Sequence, residues 1–235
     1  YVVGGIPTVG KTTFILNMVQ SICKQDKKVL FASLEMPYED VITKLISDLG
    51  DEDMESVRDL DSLDDEKKGK VSKKAVDLAS NIAGYNRHFI GKEAITVVDI
   101  ENEVGILGDV DIVFIDYLQK ITPINLKVSR YEQISQISKD IKYLATKFGI
   151  PIVTVASINR SFSRRDIKKP MLSDFRDSGN VEYDIDVALL MYRASQFESV
   201  PKDRENVAEI IIAKQRQGKG GHSIELLFKP EISKF

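Results

Sequence analysis

A glycine-rich stretch near the start of the chain, GGIPTVGKTT, has the residue types and spacing of a phosphate-binding loop. It fits the pattern G-x-x-x-x-G-K-[ST] over residues 5–12, between an apolar strand pattern and an amphipathic helix pattern. Glycines let the backbone curl, so that its N–H groups and the N-terminus of the following helix form an anion site. Because the strand and helix context is present, we favour a nucleoside triphosphate site over a chance glycine-rich turn. The predicted nucleotide-binding residues of this loop are Gly5, Ile6, Pro7, Thr8, Val9, Gly10, Lys11 and Thr12.

The last two residues of the pattern carry the chemistry, and two acids are placed to complete it. Lys11 is expected to reach the β- and γ-phosphates, and the Thr12 hydroxyl to bind Mg²⁺. Asp116 ends the apolar run IVFID, where it would hold Mg²⁺ through water, although a strand-ending Asp is also a common helix cap. Glu35 directly follows the second predicted strand and is placed to orient an attacking water; the alternative is an ordinary exposed loop acid. Because ligands bind at the carboxyl ends of parallel strands, we expect these side chains to meet in one crevice.

Strand patterns that alternate with helical patterns would position these groups, through a parallel sheet built from βαβ units. Apolar patterns predict strands over residues 1–4, 29–33, 112–115, 152–156, 187–192, 209–214 and 223–228. Helical spacing predicts helices over residues 14–22, 41–49, 71–83 and 134–148. Residues 51–70 are strongly acidic, and we expect a solvated loop there, followed by the start of a helix.

Composition and charge narrow the classes of function. A chain of 235 residues with a net charge of −3 suits one large α/β domain or two small ones, and it excludes a uniformly basic nucleic-acid-binding surface. The single cysteine, Cys23, excludes an internal disulfide and falls in an apolar helical pattern, so we expect it in the core. His88 and His222 have no Cys or acid partners at metal-ligand spacing, and neither is predicted to bind a metal. No signal peptide and no membrane-spanning apolar run is found in the sequence.

Another group of charges lies near the end of the chain, in IIIAKQRQGKGG. Its isoleucines indicate a buried strand, and Lys214, Arg216 and Lys219 follow with glycines between and after them. No acid within this stretch can pair with these cations, so the pattern indicates that they serve an anion elsewhere.

A second basic stretch, NRSFSRRDIKKP over residues 159–170, is predicted to be a loop. We predict that Arg160, Arg164 and Arg165 contact the phosphates of a nucleic acid strand, and a mobile solvated loop is the alternative. Phe162 is the only aromatic residue interleaved with these charges. Backbone tracking without base recognition is therefore the expected mode of binding.

These segments together resemble the C-terminal RecA-like motor domain of the DnaB-type replicative DNA helicases of bacteria or phages. The resemblance runs over nearly the whole chain and is carried by GGIPTVGKTTFILN, FASLEMP, VFIDYLQ, SINRS, DFRDSGNVEYDID and AEIIIAKQRQGKGG. Of these, SLEMP and KQRQGKGG are the specific ones, because generic ATP-binding relatives share only the phosphate loop. The resemblance implies a single RecA-like P-loop domain over residues 1–235, an α/β fold with a mostly parallel central sheet flanked by helices and with C-terminal antiparallel strands. The chain opens on a strand pattern, so we expect an upstream domain or linker outside it. The resemblance implies that these are the N-terminal helical domain and linker of the family.

The resemblance also implies roles for individual residues. Glu35 would be the catalytic base, Asp116 the Walker B acid, and Thr13 would join the phosphate-binding residues. Lys214 and Arg216 would enter the nucleotide site of a neighbouring subunit. The residues that would grip single-stranded DNA inside a ring are Arg176, Asp177 and Gly179.

At the level of the whole protein, the resemblance implies a hexamer that translocates on single-stranded DNA and unwinds duplex DNA with ATP and Mg²⁺. Primase and a helicase loader would be its partners, in the cytoplasm of a bacterial or phage-infected cell, with no membrane association. A RecA-like recombinase or signalling ATPase is one alternative function. The other is a helicase-derived module that binds DNA or a loader with weak turnover, because Ser157 stands where the family usually has a sensor glutamine. The helix before the Asp116 strand is also acidic here, whereas the family usually has a basic one.

Overall fold

The computed structural model describes residues 1–59, 64–81, 94–165, 168–175 and 181–235. Its strands are β1 (Val2–Gly5), β2 (Val29–Ser33), β3 (Ile112–Asp116), β4 (Ile152–Ser157), β5 (Val187–Tyr192), β6 (Val207–Gln215) and β7 (His222–Leu227). Its helices are α1 (Lys11–Cys23), α2 (Tyr38–Gly50), α3 (Met54–Arg58), α4 (Asp65–Asn81), α5 (Val97–Leu107), α6 (Arg130–Phe148) and α7 (Val181–Asp184). Short 3₁₀ turns connect several of these elements.

The strands form one sheet in the order β2-β3-β4-β1-β5-β6-β7. The first five strands in this order are parallel, whereas β6 is antiparallel to both of its neighbours. Strands β1 to β4 are buried almost throughout, as expected for parallel strands covered by helices. The sheet therefore has a carboxyl edge, where β1 to β5 end, and an amino edge, where those five strands begin.

Helices cover the sheet and are started by local signals. Helix α1 packs on β1 and β2 with α2 beside it, and α6 packs on β4 with α5 beside it. Ser129 starts α6 with a capping box, in which its hydroxyl accepts from the Glu132 N–H while the Glu132 carboxylate accepts from the Ser129 N–H. Cys23 is buried in the core at the end of α1, as predicted.

The structure differs from the sequence-based prediction mainly in the acidic stretch. Residues 54–58 form the short helix α3, because the Asp53 side chain accepts a hydrogen bond from the Ser56 N–H and so caps it. Helix α4 begins at Asp65, within the stretch where the start of a helix was expected, and it continues through the predicted helical pattern to Asn81. Residues 82 and 83 of that pattern lie outside the described residues. Among the described residues, no helix combines the length and apolar character needed to cross a membrane.

Candidate nucleotide site and basic hairpin

The glycine-rich loop connects β1 to α1 at the carboxyl edge of the sheet. Gly10 has a φ of 107°, which a side chain would strain, and a Cβ there would lie 2.7 Å from the Phe235 ring. Helix α1 starts directly after it with no acid in its first turn, so no acidic side chain of the helix itself offsets the positive end of its dipole. The loop therefore has the backbone geometry of an anion site.

Lys11 lies inside this loop rather than in open solvent. Its ammonium donates a 2.8 Å hydrogen bond to the Ile6 carbonyl of the same loop. Burial lowers the pKa of Lys11 to about 8, although the nearby carboxylates of Asp116 and Glu35 act to raise it. A partly desolvated ammonium at the N-terminus of α1 is suited to an anionic ligand, which would favour its charged form.

Asp116 and Thr12 meet at the floor of the same site. The Thr12 hydroxyl donates a 2.6 Å hydrogen bond to Oδ2 of Asp116, whose side chain is buried, with a relative exposure of 2%. Burial raises the pKa of Asp116 to about 6, and the hydrogen bond from Thr12 opposes this shift. The two oxygens are hard donors that fit Mg²⁺. Two protein oxygens would supply only part of the octahedral ligand shell of Mg²⁺. Among the described residues, no cluster of three or more His, Cys, Asp or Glu residues could hold a metal.

These groups line one cavity of about 800 Å³, a size within the usual range for ligand sites. Glu35 is exposed and lines this cavity, so the predicted meeting of Lys11, Glu35 and Asp116 is present. The predicted loop residues that line the cavity are Pro7, Thr8, Gly10, Lys11, Thr12 and Thr13. Gly5, Ile6 and Val9 do not line it but are buried behind it.

The Glu35 segment is fixed to the Asp116 strand by its backbone. The Leu34 N–H donates a 2.6 Å hydrogen bond to the Asp116 carbonyl. The Ser33 hydroxyl donates to the Met36 carbonyl at 2.8 Å and closes a turn around Glu35. These contacts place the carboxylate of Glu35 at the cavity while leaving its side chain exposed.

Lys214 and Arg216 lie at the other edge of the sheet. They stand at the end of β6, which pairs with the beginning of β5 through Val187 and Gln215. The Lys214 ammonium donates to the Glu182 carbonyl, and Arg216 forms a 2.9 Å ion pair with Asp186. The stretch IIIAKQRQGKGG, which we call the basic hairpin, contains no acid. Asp186, which lies outside it, does pair with Arg216, and the sequence pattern did not indicate this contact.

The basic stretch after β4 is more ordered than the predicted loop. Residues Arg160–Arg164 form a 3₁₀ turn whose Phe162 is 1% exposed and packs edge-on against Phe197, so this ring is not available for base stacking. Arg160 lines the nucleotide cavity. Arg165 donates a 3.1 Å hydrogen bond to the buried Asp174, a structural contact that competes with the predicted DNA contact.

The three residues predicted to grip DNA, Arg176, Asp177 and Gly179, lie outside the described residues. The described residues that flank them are Phe175, whose backbone pairs with that of Ile158, and Val181, which starts α7.

The family model of the DnaB-like helicase C-terminal domain matches residues 1–235. The chain belongs to this family. The predicted resemblance is thereby confirmed, and the alternative of a recombinase or signalling ATPase loses its support. The predicted fold class is confirmed as well, because the sheet is mostly parallel and ends in antiparallel strands.

Relatives in this family are replicative helicases of about twice the length. The chain is 31% identical over 240 residues to the replicative DNA helicase DnaB of Haemophilus influenzae, with 100% of the chain and 50% of the relative covered. It is 34% identical over 233 residues to DnaB of Helicobacter pylori, with 97% of the chain and 46% of the relative covered. The chain thus spans about half the length of these relatives.

Solved structures agree with this assignment. A solved ATPase domain superposes with a TM-score of 0.91 at 31% identity, with 100% of this chain and 82% of that chain covered. A DnaB-like replicative helicase, from a structure that describes its interactions with primase, superposes with a TM-score of 0.89 at 33% identity. That match covers 100% of this chain and 57% of the other.

Within this family fold, several cavity residues were not predicted from the sequence. Lys44, Tyr117, Asn159 and Phe228 line the cavity with the predicted groups. Tyr117 directly follows β3, and Asn159 lies shortly after β4. A position just beyond the end of a parallel strand could have predicted that both residues line the cavity. No sequence signal marks Phe228, because it reaches the cavity from the other end of the chain. Its ring stacks on Phe235 at 4.5 Å and lies under the Arg193 guanidinium.

Ser157, the residue that departs from the family pattern, lines the cavity at the end of β4. The side-chain amide of Gln119 holds its backbone, donating to the Ser157 carbonyl at 3.1 Å and accepting from the Ser157 N–H at 3.2 Å. Gln119 belongs to the segment after Asp116, so this pair of bonds joins the ends of β3 and β4 without using the Ser157 side chain.

Proposed function

We propose that residues 1–235 are a single motor domain of a replicative DNA helicase, which hydrolyses ATP to translocate on single-stranded DNA and unwind duplex DNA. One observation carries the proposal. The cavity at the carboxyl edge joins Lys11, Thr12, Asp116 and Glu35, whereas the basic pair of the hairpin stands at the opposite edge. A site divided in this way suits a motor whose subunits complete one another, as the membership of the helicase family also suggests.

Lys11 and the loop amides would bind the triphosphate. The Lys11 ammonium, which donates to the Ile6 carbonyl, would exchange this partner for phosphate oxygens of the β- and γ-phosphates. The negative charge of the ligand would favour the protonated amine, although burial lowers its pKa to about 8. The loop amides and the N-terminus of α1 would bind the same oxygens.

Thr12 and Asp116 would hold Mg²⁺. Burial raises the pKa of Asp116 to about 6, so its carboxylate is charged at neutral pH. The hydrogen bond from Thr12 and the charge of Lys11 stabilise this buried negative charge. Bound Mg²⁺ would neutralise charge on the phosphate oxygens. Phosphate and water oxygens would complete its ligand shell, because this cation retains water ligands.

Glu35 would act as the general base. Its exposed carboxylate stands at the cavity on a turn held by Ser33 and by the Asp116 strand. It would accept a proton from the attacking water and orient that water toward the γ-phosphate.

The basic pair would act in a neighbouring copy. Strand β5 has six residues, so its two ends are separated by roughly 20 Å at about 3.3 Å per residue. Arg216, which follows β6 and lies beside the start of β5, is therefore too far from the cavity of its own chain to contact a γ-phosphate there. We assign Arg216 as an arginine finger supplied in trans, and Lys214 as its companion.

DNA and partner proteins remain parts of this proposal. Arg160 and Arg164 are the described arginines that we assign to the DNA strand, together with Arg176, Asp177 and Gly179 in the adjacent segment. Phosphate contacts of this type give binding that is independent of sequence and sensitive to salt. The whole protein would act as a hexamer in the cytoplasm of a bacterial or phage-infected cell, with primase and a helicase loader as partners.

A helicase-derived module with weak turnover is the second candidate, and Ser157 is the observation that favours it. The serine side chain is too short to reproduce the reach of the usual glutamine. The contact of Gln119 with the Ser157 backbone favours the motor, because it links the two strand ends by another route.

Single-stranded DNA stimulation of ATP hydrolysis, measured together with strand displacement on a forked duplex, separates the two candidates. The motor should show both activities, and Lys11→Ala should lose both. Lys147→Ala is the matched control, since this exposed lysine pairs with Glu101 far from the cavity. Hydrolysis that single-stranded DNA does not stimulate, without strand displacement, would favour the module.

A further inference from the structure

Asp186 lies at the amino edge of the sheet, at the root of the basic hairpin. It directly precedes β5, and its backbone carbonyl accepts a 2.8 Å hydrogen bond from the Arg216 N–H. Its side chain then contacts the same residue, since Oδ1 lies 2.9 Å from Nη1 of Arg216. Asp186 therefore fixes both the backbone and the guanidinium of Arg216.

The second carboxylate oxygen of Asp186 anchors this pair to the body of the domain. Oδ2 accepts a hydrogen bond from the Lys142 ammonium of α6, a helix that packs on β4. The hydrogen bond from Lys142, with the charge of Arg216, lowers the pKa of Asp186. One carboxylate thus bridges a long core helix and the residue assigned as the finger.

Helix α7 holds the other side of the basic pair. Its carbonyls accept hydrogen bonds from both cations: Glu182 from the Lys214 ammonium, and Tyr183 from Nη2 of Arg216 at 3.2 Å. Arg216 is nevertheless 53% exposed in its side chain. A guanidinium that is oriented on one side and open on the other is arranged to meet an anion from outside the chain.

We propose that Asp186 is a positioning residue that orients the Arg216 guanidinium toward the triphosphate bound by a neighbouring copy. This inference rests on the trans role of Arg216 proposed above. Asp186 does not contact the nucleotide itself, because it lies at the edge of the sheet opposite to the cavity. It acts by restricting the side-chain conformations of Arg216, so that less ordering is needed when the subunits meet.

The test compares Asp186→Asn with Glu225→Gln in the intact protein. Asparagine keeps the backbone carbonyl and nearly the side-chain volume, but it loses the charge that holds Arg216 and Lys142. We expect kcat for ATP hydrolysis with single-stranded DNA to fall roughly 10- to 100-fold, the range for loss of a charge-assisted hydrogen bond. KM for ATP should change little, since the cavity is untouched. Glu225 also pairs with an arginine, Arg204, but on the exposed strand β7, and its variant should keep the wild-type kcat.

A double-mutant comparison separates positioning from folding. In an Arg216→Ala background, Asp186→Asn should cause no further loss of kcat, whereas a merely structural role would add one. Asp186→Ser, measured in parallel, should reproduce the loss of kcat expected for Asp186→Asn. The particle mass of each variant checks that it assembles, so that a loss caused by poor assembly is recognised. A wild-type kcat in both Asp186 variants would overturn the inference, and so would an additive loss. If Arg216→Ala itself hydrolyses ATP at the wild-type rate, the trans finger fails instead, so the two failures are distinguishable.

Discussion

The two edges of the sheet carry opposite kinds of polar group. At the carboxyl edge, Asp116 is buried and Lys11 is half-buried, and loss of solvent shifts the pKa of each toward its neutral form. At the amino edge, Asp111 and Asp186 are held by basic partners, and these partners lower the pKa of both carboxyls. Strand β3 shows the contrast within a few residues, because Asp111 precedes it and Asp116 ends it.

The difference indicates what each edge is for. A charged group that loses solvent without gaining enough partners is stabilised when a ligand of opposite charge binds, so the carboxyl edge is suited to binding a charged ligand. Exposed groups that are already paired are stable without a ligand, and they present an ordered charge to another molecule. On the function proposed above, one chain would therefore bind phosphate at one edge and present a positive charge to another molecule at the other.

The largest expected effect is on ATP hydrolysis, when a variant at one edge of the sheet is mixed with a variant at the other edge. Lys11→Ala should abolish hydrolysis and weaken nucleotide binding, whereas Arg216→Ala should keep binding and lose about 10³- to 10⁵-fold in kcat. Mixing the two inactive variants should restore hydrolysis, because an interface between a chain with Lys11 and a chain with Arg216 is complete. ATP turnover of the mixture against each variant alone is the measurement.

Lack of recovery in rings shown by mass to contain both variants would contradict the division of the site between two copies. A double variant, with both substitutions in one chain, is the control. Mixed with Lys11→Ala, it should remain inactive, since no interface then contains both groups.

The contrast also explains what could be predicted from sequence. Lys11, Thr12 and Asp116 belong to short local patterns attached to strands, so their convergence in one cavity was predictable before the fold was known. The contacts of Phe228 with Arg193 and of Asp186 with Arg216 were not, because these partners are about thirty residues apart in sequence and nothing local marks them. Helix α3 was missed since its single cap, Asp53, lies in a stretch where acids are common. Strand ends shifted by a residue or two, as for β6, because hairpin pairing extends beyond the apolar run.

A smaller effect concerns stability without ligand. The folded pKa of Asp116, about 6, is above its ordinary value of 3.8. The folded state therefore binds more protons between these values, and stability falls as pH rises through this window and stays lower above it. Asp116→Asn removes this cost, so the ligand-free protein should gain up to about 3 kcal/mol in unfolding free energy at pH 8, while losing ATP hydrolysis. Denaturant unfolding at pH 4 and pH 8 measures the gain, which should nearly vanish at pH 4.

Asp111→Asn is the matched control with the opposite sign. Hydrogen bonds from the Lys28 N–H and the Lys27 side chain lower the pKa of Asp111, so its contribution to stability is present above pH 3.8 and is lost as pH falls. This variant should be slightly less stable than the wild type at pH 8. If Asp116→Asn also destabilises the ligand-free protein at pH 8, the ionised Asp116 carboxylate does not lower the stability of the fold, and the contrast between the two edges fails.

The smallest effect tests whether the end of the chain belongs to the carboxyl edge. The Phe228 ring is 7% exposed, lines the nucleotide cavity, and is fixed between Phe235 and Arg193. It offers the apolar wall against which a nucleoside can pack, so Phe228→Ala should raise KM for ATP roughly tenfold, the range for loss of such ring contacts. The value of kcat should change less, because Lys11 and Arg216 keep their positions. Leu227→Ala, at an exposed neighbouring residue, should leave KM unchanged. Equal KM values for the two variants would show that the nucleoside does not pack on Phe228. The residues assigned to the nucleotide would then be only those that bind its phosphates.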